Sequence, residues 1–277
     1  MDLKDHGVQA REFSFIYEVE CKILIKDRAY WFVISIILAA GQGTRMRPLS
    51  YVIPKILLPV RGKPVLDYLF ANLQNMNIKR HYIVVSEQYD TVQTYIDKTG
   101  ISNVSVVKGL GWETGGDLSI ALQETGIEDD TIVMNGDIIT DVKMSELYHF
   151  HISKNGPVSM ALFELNDEKE AKRFGQITLN NDGWIEEFVE KNETMKRKSN
   201  LVNVGFYIFG KKFLNENKEY LIPHKFKLET ELFPQLARNH LLYGCPMNIE
   251  YWWDVGTMPS YLKAEHFFIN GKGIIPP

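Results

Sequence analysis

The sequence predicts an α/β fold with a mostly parallel β-sheet and crossover helices. From residue 34 onward, short runs of β-branched and aliphatic residues alternate with amphipathic stretches of helical length. Parallel strands joined by crossover helices require such an alternation of strand and helix segments. The apolar fraction of 45% and the charged fraction of 24% are typical of a soluble globular protein.

The alternation is clearest in the first half of the chain. Strands are predicted there at residues 34–38, 82–85, 104–107 and 131–134, and helices at residues 64–75, 89–98 and 116–124. Beyond residue 155 the pattern changes. Strands are predicted at residues 158–163, 176–179, 184–189 and 202–209, and helices at residues 229–238 and 259–268. The second half is therefore predicted to add a mixed-sheet lobe to a parallel-sheet first half.

The first 33 residues do not share this pattern. Residues 13–25 contain β-type side chains with partial alternation, so they are compatible with an added strand or hairpin arm. An unstructured leader or an over-extended reading frame is compatible as well. We divide the chain into an N-terminal extension, residues 1–33, and one domain, residues 34–277, because α/β domains often contain about 200–250 residues.

Charge and cysteine content exclude several classes of protein. The 31 basic and 35 acidic residues give a net charge of −4, which argues against broad nucleic-acid binding because that depends on dense Lys and Arg. Cys21 and Cys245 are too few for a disulfide framework. The apolar run at residues 30–40 is shorter than the about 20 residues of a membrane-spanning helix, and acidic residues precede it. We therefore expect a cytoplasmic protein with neither a membrane nor a nucleic acid as partner.

The strongest motif is the glycine-rich loop that follows the first predicted strand, at residues 38–50. Gly41 and Gly43 let the backbone approach a ligand and direct N–H groups at phosphate oxygens. Arg45 can form a forked ion pair with a phosphate, and Lys55 adds a point charge after a proline. A pair of glycines is more often a structural turn, but this combination of residues predicts a phosphate site.

Two aspartates are candidate metal ligands. Asp137 follows a predicted apolar strand, and open α/β sheets bind ligands at the carboxyl ends of their strands. Mg²⁺ prefers carboxylate and phosphate oxygens. A Gly-Asp pair in this position is more often a turn when it stands alone. Asp254 has a second interpretation too, as the cap of the helix that begins near Pro259.

The loop at residues 38–50 resembles the signature of the sugar-phosphate nucleotidylyltransferases, also called sugar-nucleotide pyrophosphorylases. It is neither a dinucleotide fingerprint, which would need glycine at Met46, nor a P-loop. The resemblance implies that Arg45 holds the leaving pyrophosphate and that Lys55 faces the reacting phosphates of a nucleoside triphosphate (NTP). The loop residues implied to contact this NTP are Leu38, Ala40, Gly41, Gly43 and Thr44.

Further motifs follow in the order of the family, so that the resemblance covers residues 34–268. Thr114-Gly115-Gly116 resembles a turn near the base and the sugar, and counting back from it places the base-contacting position at Lys108. Asn135-Gly136-Asp137 and Trp253-Asp254-Val-Gly-Thr resemble the segments that carry two Mg²⁺ ligands. The resemblance implies a Rossmann-like fold of the nucleotide-diphospho-sugar transferase type.

Motifs in the second half resemble the sugar-binding part of the family. They imply contacts with the sugar or its phosphate from Gly175, Glu190, Lys191 and Asn203. Lys191 could instead belong to a solvated basic loop, because three more basic residues follow it closely.

The chain departs from the family pattern at two positions. Glu113 stands where glycine is usual, and Asp117 stands where a small apolar residue is common.

The resemblance implies Mg²⁺-dependent nucleotidyl transfer from an NTP to a sugar 1-phosphate, closest to the mannose- and heptose-1-phosphate guanylyltransferases. Cytidylyl, uridylyl and thymidylyl transfer remain open. The two acidic departures favour a further alternative, a non-catalytic nucleotide-sugar-binding regulatory subunit. Members of the family commonly form homo-oligomers.

Overall fold

The computed structural model of the protein describes residues 33–126, 128–165, 174–189, 199–273 and 275–276. The predicted N-terminal extension lies outside the described residues except for Val33. The predicted sugar-binding residues Glu190 and Lys191 also lie outside them. Within the described part of the chain, no helix is both long enough and apolar enough to cross a membrane.

Thirteen strands and seven α-helices make up the described part of the fold. The strands are β1 Val33–Leu38, β2 Pro59–Val60, β3 Lys63–Pro64, β4 Ile78–Val85, β5 Val104–Lys108, β6 Asp130–Asn135, β7 Ile138–Thr140, β8 Val158–Glu164, β9 Gln176–Leu179, β10 Ile185–Val189, β11 Leu201–Phe209, β12 Leu242–Pro246 and β13 Trp252–Asp254. The helices are α1 Val65–Asn72, α2 Tyr89–Thr99, α3 Glu113–Thr125, α4 Met144–Lys154, α5 Lys211–Glu216, α6 Phe233–Arg238 and α7 Met258–Ile269. Short 3-10 turns lie at Thr44–Met46, Leu49–Tyr51, Lys55–Leu57 and Lys218–Leu221, and a π-helical turn lies at Leu228–Leu232.

Seven strands form one central sheet in the order β12-β8-β11-β6-β1-β4-β5. The neighbours β1–β4, β1–β6, β4–β5 and β12–β8 are parallel, whereas β11 is antiparallel to both β6 and β8. The predicted fold class, a mostly parallel sheet with crossover helices, is confirmed. Strands from the second half extend the same sheet, and three small antiparallel sheets, β2–β3, β7–β13 and β9–β10, accompany it.

The central strand β1 is buried on both faces of the sheet. All six residues of β1 are buried. The one polar residue among them is Ser35, whose Oγ lies 2.7 Å from Nδ1 of His81. A parallel strand that is covered on both sides needs an almost continuous apolar run instead of an alternating one. This explains why residues 34–38 read as a buried strand.

The second half of the chain differs from its predicted elements at a helix and at an edge strand, among other places. The predicted helix at residues 229–238 is divided into a π-helical turn, Leu228–Leu232, and the helix α6. Pro234 lies in the first turn of α6, where its missing N–H leaves no helical hydrogen bond unmade. Strand β12 was not predicted, because it contains glycine and proline, and it lies at the edge of the sheet, where proline is tolerated.

Candidate functional site

The candidate site lies where the order of the sheet reverses. The chain passes from β1 to β4 and β5 on one side and returns to β6 on the other. Such a reversal opens a crevice at the carboxyl ends of the central strands. A cavity of about 440 Å³ lies there. Among its lining residues are eight that the sequence predicted: Leu38, Gly41, Arg45, Lys55, Asp137, Gly175, Asn203 and Asp254.

Lys55 and Asp137 form the central ion pair of the cavity. The Lys55 Nζ atom lies 2.6 Å from Oδ2 of Asp137. The two side chains are only 17% and 24% exposed, so that water screens the pair incompletely. A 3-10 turn that begins directly after Pro54 positions Lys55, and the end of β6 positions Asp137.

The charges around the cavity shift the pKa values of the two aspartates in opposite directions. Burial by itself raises the pKa of Asp137, but the Lys55 ammonium and the Arg45 guanidinium outweigh burial and hold that pKa below its usual range. The pKa of Asp254 is raised, first by burial and then by the negative charge of Asp137. A cation bound between the two carboxylates would favour the ionised form of both.

The pairing of β7 with β13 brings these aspartates together. Asp254 is opposite Ile138, and the N–H of Val255 donates to the carbonyl of Asp137 at 2.8 Å. A Cβ atom on Gly256 would lie 2.7 Å from Oδ1 of Asp254 and 3.2 Å from Oδ2 of Asp137. Both carboxylates therefore face the same point. Asp254 does not cap the following helix, because that cap is Thr257.

The residues around this point fit a Mg²⁺ ion. Carboxylate oxygens are ligands that a hard cation prefers, and here two of them come from separate strand ends. Oδ1 of the neighbouring Asn135 is buried and has no hydrogen-bond partner among the residues that the structure describes. Over the described ranges, no group of three or more His, Cys, Asp and Glu side chains is arranged to hold a metal. Oxygens from substrate phosphates and water would complete the coordination, as is common for Mg²⁺.

Two glycines allow the backbone segments of the site to cross closely. Gly43 has a left-handed backbone, φ 62°, and a Cβ atom there would lie 3.2 Å from Cγ of Lys55. The N–H of Gly136 donates to the carbonyl of Leu38 at 2.9 Å, and a Cβ atom would lie 2.8 Å from the same oxygen. Gly136 thus lets β6 end against β1, a role that its place in the Asn135-Gly136-Asp137 motif does not indicate.

Gly115 and Gly116 face a neighbouring loop instead of lining the cavity. Their N–H groups donate to the carbonyl of Phe226 at 3.0 and 3.2 Å. A Cβ atom on Gly115 would lie 2.2 Å from the Phe226 ring, and one on Gly116 would lie 2.3 Å from the carbonyl oxygen of His224. Small residues are required here because the loop packs directly on the first turn of α3. Thr114 does line the cavity, and its Oγ1 donates to Oε2 of Glu229 at 2.8 Å.

The two acidic departures from the family pattern have different surroundings. Asp117 is buried, and its Oδ1 accepts the N–H of Leu110 at 2.9 Å. Burial raises its pKa, and backbone N–H groups of the turn at residues 110–112 oppose that rise. Asp117 therefore holds this turn and does not line the cavity. Glu113 does line the cavity, so only this departure places a negative charge there.

Asn203 on β11 and Trp252 on β13 make internal hydrogen bonds at the cavity wall. Asn203 Nδ2 donates to the hydroxyl of Tyr207, and its Oδ1 accepts the N–H of Gly205, both at 2.8 Å. The Trp252 Nε1–H donates to the carbonyl of Val204 at 3.0 Å. These bonds stabilise an irregular stretch of β11 at the cavity. Trp252 also lines the cavity.

Six predicted residues are described but do not line the cavity, namely Ala40, Gly43, Thr44, Lys108, Gly115 and Gly116. The first three belong to the glycine-rich loop beside it. Lys108 is exposed at the end of β5, the strand at the edge of the sheet.

Comparison with known proteins gives consistent matches. The profile of the nucleotidyl transferase family matches residues 34–271. Mannose-1-phosphate guanyltransferase from Yarrowia lipolytica is 30% identical over 244 residues, which cover 85% of this chain and 64% of that protein. UTP–glucose-1-phosphate uridylyltransferase from Synechocystis sp. is 27% identical over 247 residues, which cover 83% of this chain and 62% of that protein. The chain spans less than two thirds of the length of such curated relatives.

Among solved structures, the crystal structure of HddC from Yersinia pseudotuberculosis has the same fold. It superposes with a TM-score of 0.68 at 24% sequence identity. The match covers 86% of this chain and 100% of that one.

Proposed function

The chain belongs to the nucleotidyl transferase family, and from this premise we propose that it transfers a nucleotidyl group from an NTP to a sugar 1-phosphate and releases pyrophosphate. The convergence of Arg45, Lys55, Asp137 and Asp254 on one cavity carries the proposal. A reaction between two polyanions requires positive charge to neutralise them. The two cations supply it directly, and the two carboxylates can hold a metal cation that adds to it.

In the proposed mechanism, the protein positions the two substrates and neutralises their charge. A sugar phosphate oxygen attacks the α-phosphorus of the NTP in line, and pyrophosphate leaves. Lys55 neutralises the α-phosphate region, and Arg45 holds the leaving pyrophosphate. Asp137 and Asp254 would hold Mg²⁺, which withdraws charge from the phosphate oxygens when it is bound. No general base is needed, because a phosphate dianion is already a nucleophile.

We further propose how the remaining predicted residues divide between the two substrates. The NTP would contact Leu38, Ala40, Gly41, Gly43, Thr44, Lys108, Gly115 and Gly116. The amides of Gly115 and Gly116 already donate to Phe226, so their contribution would be to shape the turn at Thr114. The sugar phosphate would contact Gly175, Glu190, Lys191 and Asn203.

A guanosine nucleotide with a mannose- or heptose-type 1-phosphate is the substrate pair we favour. The mannose-1-phosphate guanyltransferase relative supports it. A uridylyltransferase relative has a similar identity, so that uridylyl, cytidylyl and thymidylyl transfer are the alternatives. We also propose that residues 34–277 form the catalytic domain, that residues 1–33 are an extension of it, and that the protein acts in the cytoplasm.

A regulatory subunit that binds a nucleotide sugar without turnover is the second candidate function. The carboxylate of Glu113 at the cavity favours it, since a negative charge there opposes a polyanionic substrate. Retention of both cations and both aspartates favours the enzyme.

A two-stage experiment separates these functions. The melting temperature is measured with GTP, CTP, UTP, ATP and dTTP in the presence of Mg²⁺, and pyrophosphate release is then measured with a panel of sugar 1-phosphates. We expect stabilisation by GTP above the other nucleotides and turnover with a mannose- or heptose-type substrate. Stabilisation without turnover on any acceptor would support the regulatory subunit. Turnover with another base would correct only the nucleotide.

A further inference from the structure

Glu113 has an unfavourable backbone conformation at the edge of the cavity. It begins α3 with a left-handed backbone, φ 63°. Residues other than glycine rarely adopt this conformation, and those that do are concentrated at binding and catalytic sites. The chain therefore keeps a glutamate where glycine would fit without strain.

The charged partner of Glu113 in the described part of the chain is Lys227. The Lys227 Nζ atom lies 4.0 Å from Oε2 of Glu113, and the two side chains are 51% and 42% exposed. An ion pair that is this long and this exposed contributes little to stability. Fold stability thus does not account for the strain at Glu113.

Other hydrogen bonds already join the two segments. Thr114 Oγ1 donates to Oε2 of Glu229 at 2.8 Å and accepts the N–H of Leu228 at 3.0 Å. The N–H of Lys227 donates to Oε1 of Glu231 at 3.0 Å, which fixes the backbone from which its side chain extends. Glu113 and Lys227 are therefore held side by side even without their own ion pair.

The two side chains offer complementary hydrogen-bonding groups to the same space. Both line the cavity that also holds Lys55 and Asp137. A carboxylate accepts hydrogen bonds from two adjacent hydroxyls, and an ammonium donates to a hydroxyl oxygen. A vicinal diol satisfies both groups at once, whereas a phosphate satisfies only the ammonium.

We propose that Glu113 and Lys227 bind a vicinal diol of a substrate and that Glu113 is a specificity-determining residue of the site. The proposal rests on the proposed function, which supplies two sources of this chemistry: the ring of the sugar 1-phosphate and the ribose of the NTP. The strained backbone at Glu113 is retained because it directs the carboxylate to that diol.

Paired substrates test the proposal and distinguish the two sources. The ratio of kcat/KM is measured for a sugar 1-phosphate against its monodeoxy analogues and for an NTP against its 2′- and 3′-deoxy forms. Loss of a hydrogen bond to a charged group lowers kcat/KM by about tenfold or more. The wild type should therefore prefer the intact diol over the deoxy analogue by that factor in one of the two comparisons, the sugar 1-phosphate or the NTP. Glu113→Gln and Lys227→Met should each reduce the preference to less than about threefold in that comparison.

A glycine variant separates binding from backbone strain. Glu113→Gly should raise the melting temperature while it removes the preference for the diol. Asn155→Gly is the matched control, because Asn155 also has a left-handed backbone, φ 47°, at the end of α4 and does not line the cavity. This control should raise the melting temperature and keep the wild-type preference.

Two results would overturn the proposal. One is a wild type that turns over its substrates but does not discriminate against deoxy analogues in either comparison. The other is a wild-type preference that Glu113→Gln and Lys227→Met both retain. Absence of any wild-type turnover would instead refute the proposed function and this inference with it, so the two failures are distinguishable.

Discussion

The Lys55 ammonium and the Asp137 carboxylate lie 2.6 Å apart, although 82 positions separate them in the sequence. This pair connects the turn after the glycine-rich loop to the end of β6. Under the proposed function, a metal cation at Asp137 would replace Lys55 as the main counter-ion of that carboxylate. Lys55 would then be available to the phosphates of the NTP.

Substitution of Lys55 should abolish most turnover. We expect Lys55→Met to lower kcat for pyrophosphate release by about 10²–10³-fold, the usual effect of losing one preorganised electrostatic contact. Lys79→Met is a matched control, because Lys79 pairs with Glu128 on the surface and its side chain is 51% exposed. The assigned role would be wrong if Lys55→Met kept a rate within about threefold of the control.

Metal binding should depend on Asp254. We expect Asp254→Asn to weaken Mn²⁺ binding in the presence of an NTP by about tenfold or more, because one of two carboxylate ligands loses its charge. Electron paramagnetic resonance of free Mn²⁺ measures this without reference to turnover. Asp90→Asn, at an exposed position in α2, should bind Mn²⁺ as the wild type does.

A chelator gives a second measurement of the same site. We expect EDTA to stop pyrophosphate release and added Mg²⁺ to restore it. Undiminished release in EDTA, or unchanged Mn²⁺ affinity in Asp254→Asn, would exclude the two-aspartate metal site.

Acid should destabilise the fold through His151. Burial lowers the pKa of His151 to about 4, and the neutral ring lies 2.9 Å from Oγ of Ser159. Between the unfolded pKa of about 6.5 and the folded one, the unfolded chain binds a proton that the folded chain excludes. The free energy of unfolding should therefore fall by about 3 kcal/mol from this group as the pH falls from 6.5 to 4.

Denaturant unfolding of the wild type and His151→Asn at pH 7 and pH 4.5 checks this prediction. Above pH 6.5 the group contributes no pH dependence, since both states are neutral. The variant should lose less stability between the two pH values than the wild type loses. Equal losses would show that His151 does not exclude a proton in the folded state.

Gly115→Ala should destabilise the protein. The new Cβ atom would lie 2.2 Å from the Phe226 ring, so that the loop packed on α3 must move. We expect a cost of about 1–3 kcal/mol in the free energy of unfolding, as for other overpacked sites. Gly41→Ala is the control, because its Cβ atom would meet nothing closer than 4.0 Å and its stability should stay within about 0.5 kcal/mol of the wild type. Similar stabilities of the two variants would contradict the close packing.

Part of the fold was predictable because the central strands β1 and β6 are almost fully buried. The apolar runs at β1 and β6 are recognisable in the sequence as buried strands. Gly41 follows the first run, and Gly136 and Asp137 follow the second. Eight of the residues indicated by the motifs line one cavity, and six other described ones do not. Strands β7 and β13 were not predicted, because three-residue strands have too few positions to show a period.

Two roles could not be predicted from the pattern of α3 alone, because each depends on a partner outside that helix. The glycine pair at residues 115–116 indicated a ligand turn, yet its N–H groups donate to Phe226, more than a hundred residues later. Asp117 indicated a charge near the nucleotide, yet its carboxylate holds the turn at residues 110–112. In each case the partner that decides the role belongs to another element.

The pairing of β13 with β7 has a consequence for protein synthesis. The central strands β1, β4, β5 and β6 lie in the first half of the chain and can fold early, whereas Asp254 emerges from the ribosome long after Asp137. A nascent chain that has grown only to residue 251 contains all seven strands of the central sheet but lacks Asp254, one of the two proposed metal ligands. Under the proposed function, such unfinished polypeptides would be unable to transfer the nucleotidyl group.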